Sequence, residues 1–247
     1  MSIKNILISQ KAPSAANPYS TVIEKYGVTI DFQPFFVIEP LTSREFRSHR
    51  INITDFTTVI FSSRTMIDAF FQLCEELRIK VSEGMKYFCT TEAVAMYLQK
   101  HIVYRKRKIF FGDGTPSSII AQIGTKHKGE KFLIATSEDA PNSGLVKAFE
   151  TSGLDFQSCV FVKPVYQDLK QTDINKYDMV VLYNRADVKS LYESYPEFKQ
   201  ENIKFFAYGK SVEQAIQDAG LTVELCGPTP QVPSVAKGLE LTLEKQA

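Results

Sequence analysis

An internal repeat constrains this 247-residue chain more than any other feature of its sequence. The segment Phe56-Thr57-Thr58-Val59-Ile60-Phe61-Ser62-Ser63-Arg64 aligns with Tyr177-Asp178-Met179-Val180-Val181-Leu182-Tyr183-Asn184-Arg185. Each runs from an aromatic residue through an apolar strand and small polar residues to an arginine that opens a helix. A second pair follows in the same order: Tyr87-Phe88-Cys89-Thr90-Thr91-Glu92-Ala93-Val94 aligns with Phe205-Phe206-Ala207-Tyr208-Gly209-Lys210-Ser211-Val212. Repetition on this scale predicts two similar α/β domains, not one extended sheet.

Around these anchors, short runs of Val, Ile, Phe and Tyr alternate with segments of helical period. The predicted strands are Ile3–Ser9, Val28–Val37, Phe56–Phe61, Met85–Cys89, Lys108–Phe111, Phe132–Ala135, Phe156–Val162, Met179–Tyr183, Ile203–Ala207 and Thr222–Leu225. Helices fit at Tyr19–Tyr26, closed by Gly27, and at Thr65–Leu77, Glu92–Lys100, Ser117–Ile123, Ser143–Thr151, Ala186–Ser194, Ser211–Asp218 and Ser234–Lys245. The alternation predicts βαβ units and mainly parallel sheets, and the continuously apolar strands fit burial on both faces.

Two Pro-punctuated extended stretches, Gln33–Pro40 and Phe161–Gln167, have linker character. If both are crossings, the chain begins one domain, leaves to build another and returns. The expected division is residues 1–36 plus 167–247 for a discontinuous domain and 41–163 for an inserted one, with linkers at about 37–40 and 164–166.

Composition narrows the function classes. With 29 Lys+Arg against 28 Asp+Glu, the net charge of +1 supplies no global field toward nucleic acid or an anionic bilayer. The basic run Arg105-Lys106-Arg107-Lys108 leads straight into a strand without a recognised binding module, so no nucleic-acid partner is expected. No run reaches the ~18 to 20 apolar residues of a spanning helix and no cleavable leader is laid out, so the chain is expected to be cytoplasmic, without a membrane partner. Cys74, Cys89, Cys159 and Cys226 form no CxxC pair, and His49, His101 and His127 sit in polar or basic surroundings, so no metal site is expected. Gly112-Asp113-Gly114 has Ser117 where a dinucleotide fingerprint needs its third glycine, and Gly124 to Lys131 misses a phosphate loop in the same way.

Taken in order, several segments resemble the uroporphyrinogen-III synthase family over nearly the whole chain. They are Ile6-Leu7-Ile8-Ser9 with Tyr26-Gly27, Val59-Ile60-Phe61-Ser62-Ser63, Lys163-Pro164-Val165-Tyr166-Gln167, and Phe205-Phe206-Ala207-Tyr208-Gly209 through Ala219-Gly220-Leu221. The resemblance implies two flavodoxin-like parallel-sheet domains on a two-stranded linker, a substrate cleft between them and no cofactor; the chain is expected to be a monomer. The family's Gly-x-x-Thr-Ala helix start is replaced in both halves, by Thr91-Glu92-Ala93-Val94-Ala95 and by Gly209-Lys210-Ser211-Val212-Glu213, and Asn184 stands where a serine is usual. A second reading therefore stays open, a non-catalytic two-domain homologue that binds a small anionic metabolite or tetrapyrrole.

The implied substrate, hydroxymethylbilane, is a linear tetrapyrrole with acidic arms; the reaction removes its hydroxyl as water, inverts the last ring and closes the macrocycle. Acidic arms call for helix N-termini, where unpaired N–H groups and the positive dipole end meet anions. The expected substrate-binding residues are Ser62, Ser63, Arg64, Thr90, Thr91, Asn184, Arg185, Gly209, Lys210 and Ser211, with helix capping as the alternative role of each turn. For proton donation to the leaving hydroxyl the resemblance singles out Tyr166, in its Val-Tyr-Gln setting; a phenol titrates near ~10 and is protonated at neutral pH.

Overall fold

The structure, a computed structural model, describes residues 2–141 and 143–246; Met1, Asn142 and Ala247 lie outside the described residues. The chain divides into two compact units, one of residues 1–37 and 165–247 and one of residues 38–164.

In the discontinuous unit, strands β1 (Asn5–Ile8) and β2 (Thr29–Phe32) flank helix α1 (Ser20–Tyr26). Strand β3 (Phe36–Pro40) then leads into the inserted unit, which holds α2 (Ser43–Ser48), β4 (Thr58–Phe61), α3 (Arg64–Glu76), β5 (Lys86–Cys89), α4 (Glu92–Tyr97), β6 (Ile109–Phe111), α5 (Pro116–Ile123), β7 (Phe132–Ser137) and α6 (Gly144–Ser152). Strand β8 (Phe156–Tyr166) returns the chain, which ends in β9 (Met179–Leu182), α7 (Arg185–Ser194), β10 (Lys204–Tyr208), α8 (Lys210–Asp218), β11 (Val223–Gly227) and α9 (Val235–Glu244).

The sheet of the discontinuous unit has the order β11-β10-β9-β1-β2, with parallel pairing throughout. Counted along the chain this is the flavodoxin-like order 2-1-3-4-5. The other sheet runs β3-β8-β7-β4-β5-β6, and β8 through β6 pair in parallel. Its order becomes the same when β7 and β8 are matched to β1 and β2, and β4, β5 and β6 to β9, β10 and β11. Apart from β3, which adds a sixth strand at the edge of the second sheet, each sheet is thus assembled from two strands of one sequence repeat and three of the other. The helix ends follow the same correspondence: α1 closes on Gly27 and α6 on Gly153, both left-handed at φ 62° and 68°.

Alternation along buried strands builds a core on each face of each sheet. Phe205 joins Val188, Leu191, Val212 and Ile216 of α7 and α8, whereas its neighbour Phe206 joins Val22, Val235, Leu239 and Leu243 of α1 and α9. In the inserted unit Phe61 and Tyr87 face α3 and α4, while Ile60 and Phe88 face Ile119, Ile123 and Phe149 of α5 and α6. Side chains of period two with both faces covered by helices produce the uninterrupted apolar runs of the sequence.

The structure differs from the sequence reading in places. Val28–Val37 breaks at Gln33 and Pro34 into β2 and the start of β3, because proline has no N–H for a ladder. The stretch 37–40 lies within β3 and 164–166 within β8, joined by Leu41 N–H to Phe161 O at 2.9 Å and Gln167 N–H to Phe35 O at 2.8 Å. Helix α2 went unpredicted, although Thr42 and Glu45 form a capping box at its start. The expected polar setting of the histidines fails for His127, which is buried with its ring 4.7 Å from that of Phe110; His101 stacks on Phe71 and bonds Asp68 at 2.7 Å.

Candidate functional site

Parallel strands turn all their carboxyl ends to one edge of a sheet, where open α/β folds hold ligands. In the inserted unit this edge carries Ser62, Ser63 and Arg64 after β4 and Thr90 and Thr91 after β5. Ser63 caps α3 by accepting from Met66 N–H at 3.2 Å, and Thr91 caps α4 by accepting from Val94 N–H at 3.4 Å. Thr90 Oγ1 donates to the Ser62 carbonyl at 3.3 Å, so the two turns are tied together. Ser62 Oγ lies 3.1 Å from Met66 Sδ, and the Arg64 guanidinium sits 5.5 Å from the Tyr97 ring centre. The first turn of α3 holds no acidic residue, which keeps its dipole end positive.

In the discontinuous unit the matching edge carries Asn184 and Arg185 after β9, and Gly209, Lys210 and Ser211 after β10. Asn184 caps α7 through Oδ1, which accepts from Ala186 N–H at 3.4 Å. Gly209 adopts φ 136°, a conformation side chains resist, and its carbonyl accepts from Val212 and Glu213, both at 3.0 Å. Lys210 and Ser211 are exposed beside it. Arg185 lines a groove of about 500 Å³ between α7 and α8 with Val188, Lys189, Tyr192 and Ala215. Tyr166 ends β8 and is half-buried.

The edge of the discontinuous unit also holds residues the sequence reading did not select. Asp187 is completely buried, and its Oδ2 accepts from Ser9 Oγ at 2.7 Å, Tyr183 N–H at 2.8 Å and Asn184 N–H at 2.9 Å. Its Oδ1 is buried with no partner among the described residues. Burial pushes the carboxyl up to about 6 against the pull of those three hydrogen bonds. The Tyr183 phenol lies 3.1 Å from the Tyr19 phenol, and its ring centre 5.2 Å from that of Tyr208. Burial pushes the Tyr183 phenol upward, with the Tyr19 hydrogen bond adding to the shift, so it stays protonated. The signal for Asp187 was present as Asn184-x-x-Asp187, a capping box at the repeat's own helix start.

Three of the four cysteines are packed in the core of the inserted unit. The thiols of Cys74, Cys89 and Cys159 are buried and pushed up to about 12, which makes them core hydrophobes. Among the described residues no three His, Cys, Asp or Glu side chains converge to hold a metal ion. Among the same residues no helix is long and apolar enough to cross a membrane.

Two doubly wound parallel α/β units, each with hydroxyl and cationic side chains at its carboxyl edge, define a two-unit protein of the open-sheet α/β class. The family model for uroporphyrinogen-III synthase HemD matches residues 17–237. Two solved structures share the fold. A mutant uroporphyrinogen III synthase from the extremely thermophilic bacterium Thermus thermophilus is 15% identical with a TM-score of 0.56, covering 98% of this chain and 99% of that one. Uroporphyrinogen-III synthetase from Helicobacter pylori is 16% identical, also with a TM-score of 0.56, covering 98% and 100%. No curated protein matches the chain. The chain belongs to the uroporphyrinogen-III synthase family, lyases of tetrapyrrole biosynthesis.

Proposed function

We propose that the two carboxyl edges take the acidic arms of hydroxymethylbilane and that Tyr166 protonates the hydroxyl as it leaves. The observation that carries this reading is the occurrence of polar strand-to-helix turns at equivalent places in both repeats, three of them with a side-chain cap: Ser62, Ser63 and Arg64 with Thr90 and Thr91, and Asn184 and Arg185 with the Gly209, Lys210 and Ser211 turn, which has no side-chain cap. Hydroxyls, free first-turn N–H groups and cations are the donors a polycarboxylate needs. The replacement of the family threonines leaves Thr90, Thr91 and Ser211 to supply hydroxyls from adjacent positions.

In the reaction the C–O bond of the hydroxymethyl group breaks, its electron pair leaves with oxygen, and the phenolic proton of Tyr166 completes a water molecule. The pyrrole that loses the hydroxyl is left cationic until the substituted α-carbon of the last ring attacks it; the bond from that carbon to its original methylene bridge then breaks and leaves the bridge cationic, and the ring's other α-carbon closes on the bridge and releases the proton that restores the phenol. Catalysis is mostly positioning, since the substrate closes without inversion when it is free. We read the protein as a cytoplasmic monomer acting without nucleic acid or cofactor.

Supplying fresh hydroxymethylbilane and separating the type I and type III products tests the reading. The protein should yield type III, and Tyr166→Phe should lower turnover at least about tenfold with the melting temperature retained. Type I alone from the unmodified protein favours the non-catalytic homologue, and an unaltered rate in the variant removes Tyr166 from the chemistry.

A further inference from the structure

Beside the turn residues already assigned, the discontinuous unit holds a pair of phenols with a hydrogen left over. Tyr19 and Tyr183 share a single hydrogen bond of 3.1 Å, and their two phenols carry two protons. Whichever phenol donates within the pair, the other has a surplus O–H, and no further partner among the described residues receives it. The neighbouring Tyr208 is already committed, donating to the Pro233 carbonyl at 3.1 Å. The pair sits where the 2-1-3-4-5 order reverses, between the carboxyl ends of β1 and β9, the switch point at which such sheets hold ligands.

The repeat shows which kind of oxygen suits this donor. Asp187 occupies the third position of α7, and Met66 stands at the equivalent position of α3. The α7 turn therefore has a buried carboxyl beneath it, with Oδ2 occupied by Ser9, Tyr183 and Asn184 and Oδ1 unmatched among the described residues. Those two backbone N–H groups are spent on Asp187, whose ionised form repels a carboxylate brought beside the tyrosine pair, so at this turn an acidic arm is left to the Asn184 side-chain amide and the Arg185 guanidinium. At the α3 turn neither effect operates. A neutral oxygen fits the tyrosine pair; an acidic arm does not.

Resting on the family reaction proposed above, we infer that the Tyr19–Tyr183 pair donates a hydrogen bond to the hydroxyl oxygen of hydroxymethylbilane, with Asp187 and Ser9 as positioning residues that fix the β9–α7 turn. The hydrogen bond fixes the leaving oxygen and stabilises the charge it gains as the C–O bond lengthens.

The product keeps every acidic arm and has lost the hydroxyl, which makes it a discriminating probe. In the double variant Tyr19→Phe/Tyr183→Phe, kcat/KM for hydroxymethylbilane should fall at least about tenfold, while the Kd of uroporphyrinogen III is unchanged. The single variants, each keeping one phenol, should fall less and serve if the double variant melts early. A parallel loss of product affinity would assign the pair to an acidic arm and overturn the inference, as would unchanged kinetics. Either failure leaves type III formation by the unmodified protein intact, whereas a protein that forms type I alone overturns the family reaction and the inference together.

Discussion

Asp187 shows how much one buried carboxyl bears on this fold. Its folded value near 6 lies above the ordinary value of 3.8. Below about pH 4 both folded and unfolded chains hold the proton and the group is neutral in the balance. As pH rises toward 6 the unfolded chain releases its proton first, so stability falls, and above 6 the full penalty of about 3 kcal/mol stands. Asp187→Asn keeps an acceptor for Ser9, Tyr183 and Asn184 and abolishes the ionisation. Denaturant titrations from pH 4 to 8 should show stability falling further in the unmodified protein than in the variant; equal slopes would show that Asp187 ionises in the fold at its ordinary value. At this scale the sequence revealed the turn serines, threonines and arginines through the repeat, because their types and spacing recur. It did not reveal Ser9 as a partner of Asp187 or Tyr19 as a partner of Tyr183, since those pairs are joined only when β1 lies beside β9.

At the scale of elements, local chemistry was legible where it is local. Ser63, Thr91, Thr115, Ser143, Asn184 and Ser234 all cap helices through their own side chains, and Gly27 ends α1 where the helical pattern stops. The extension of β8 through Pro164 was less so. The β7 ladder reaches only Val162, so the missing N–H of Pro164 falls beyond that pairing. Contacts between elements give a further test. A Cβ at Gly238 of α9 would stand 2.6 Å from two ring carbons of Phe206, a fully buried side chain of β10. Gly238→Ala should therefore lower stability by about 1–3 kcal/mol, read as a reduced denaturation midpoint. A loss of less than about 0.5 kcal/mol would mean that α9 moves off the sheet at no cost.

At the scale of the whole molecule, the proposed function requires ligand at both carboxyl edges. Hydrogen exchange with and without uroporphyrinogen III should show slowed amides at the β4–α3 turn and at the β10–α8 turn. Protection confined to one unit would assign the acidic arms to that unit alone. The amino-acid sequence by itself determined the elements, the faces they bury and the existence of two repeats, because period, caps and turn residues act over a few positions. The Pro-punctuated stretches further indicated a chain that leaves one unit and comes back. Which strands became neighbours was decided by the tertiary structure. An apolar strand buried on both faces has the same pattern whichever partner it takes, and the two repeats offer partners of similar apolar pattern. Packing and chain connectivity selected β9 beside β1 and β7 beside β4, and that choice brought Ser9 to Asp187 and Tyr19 to Tyr183.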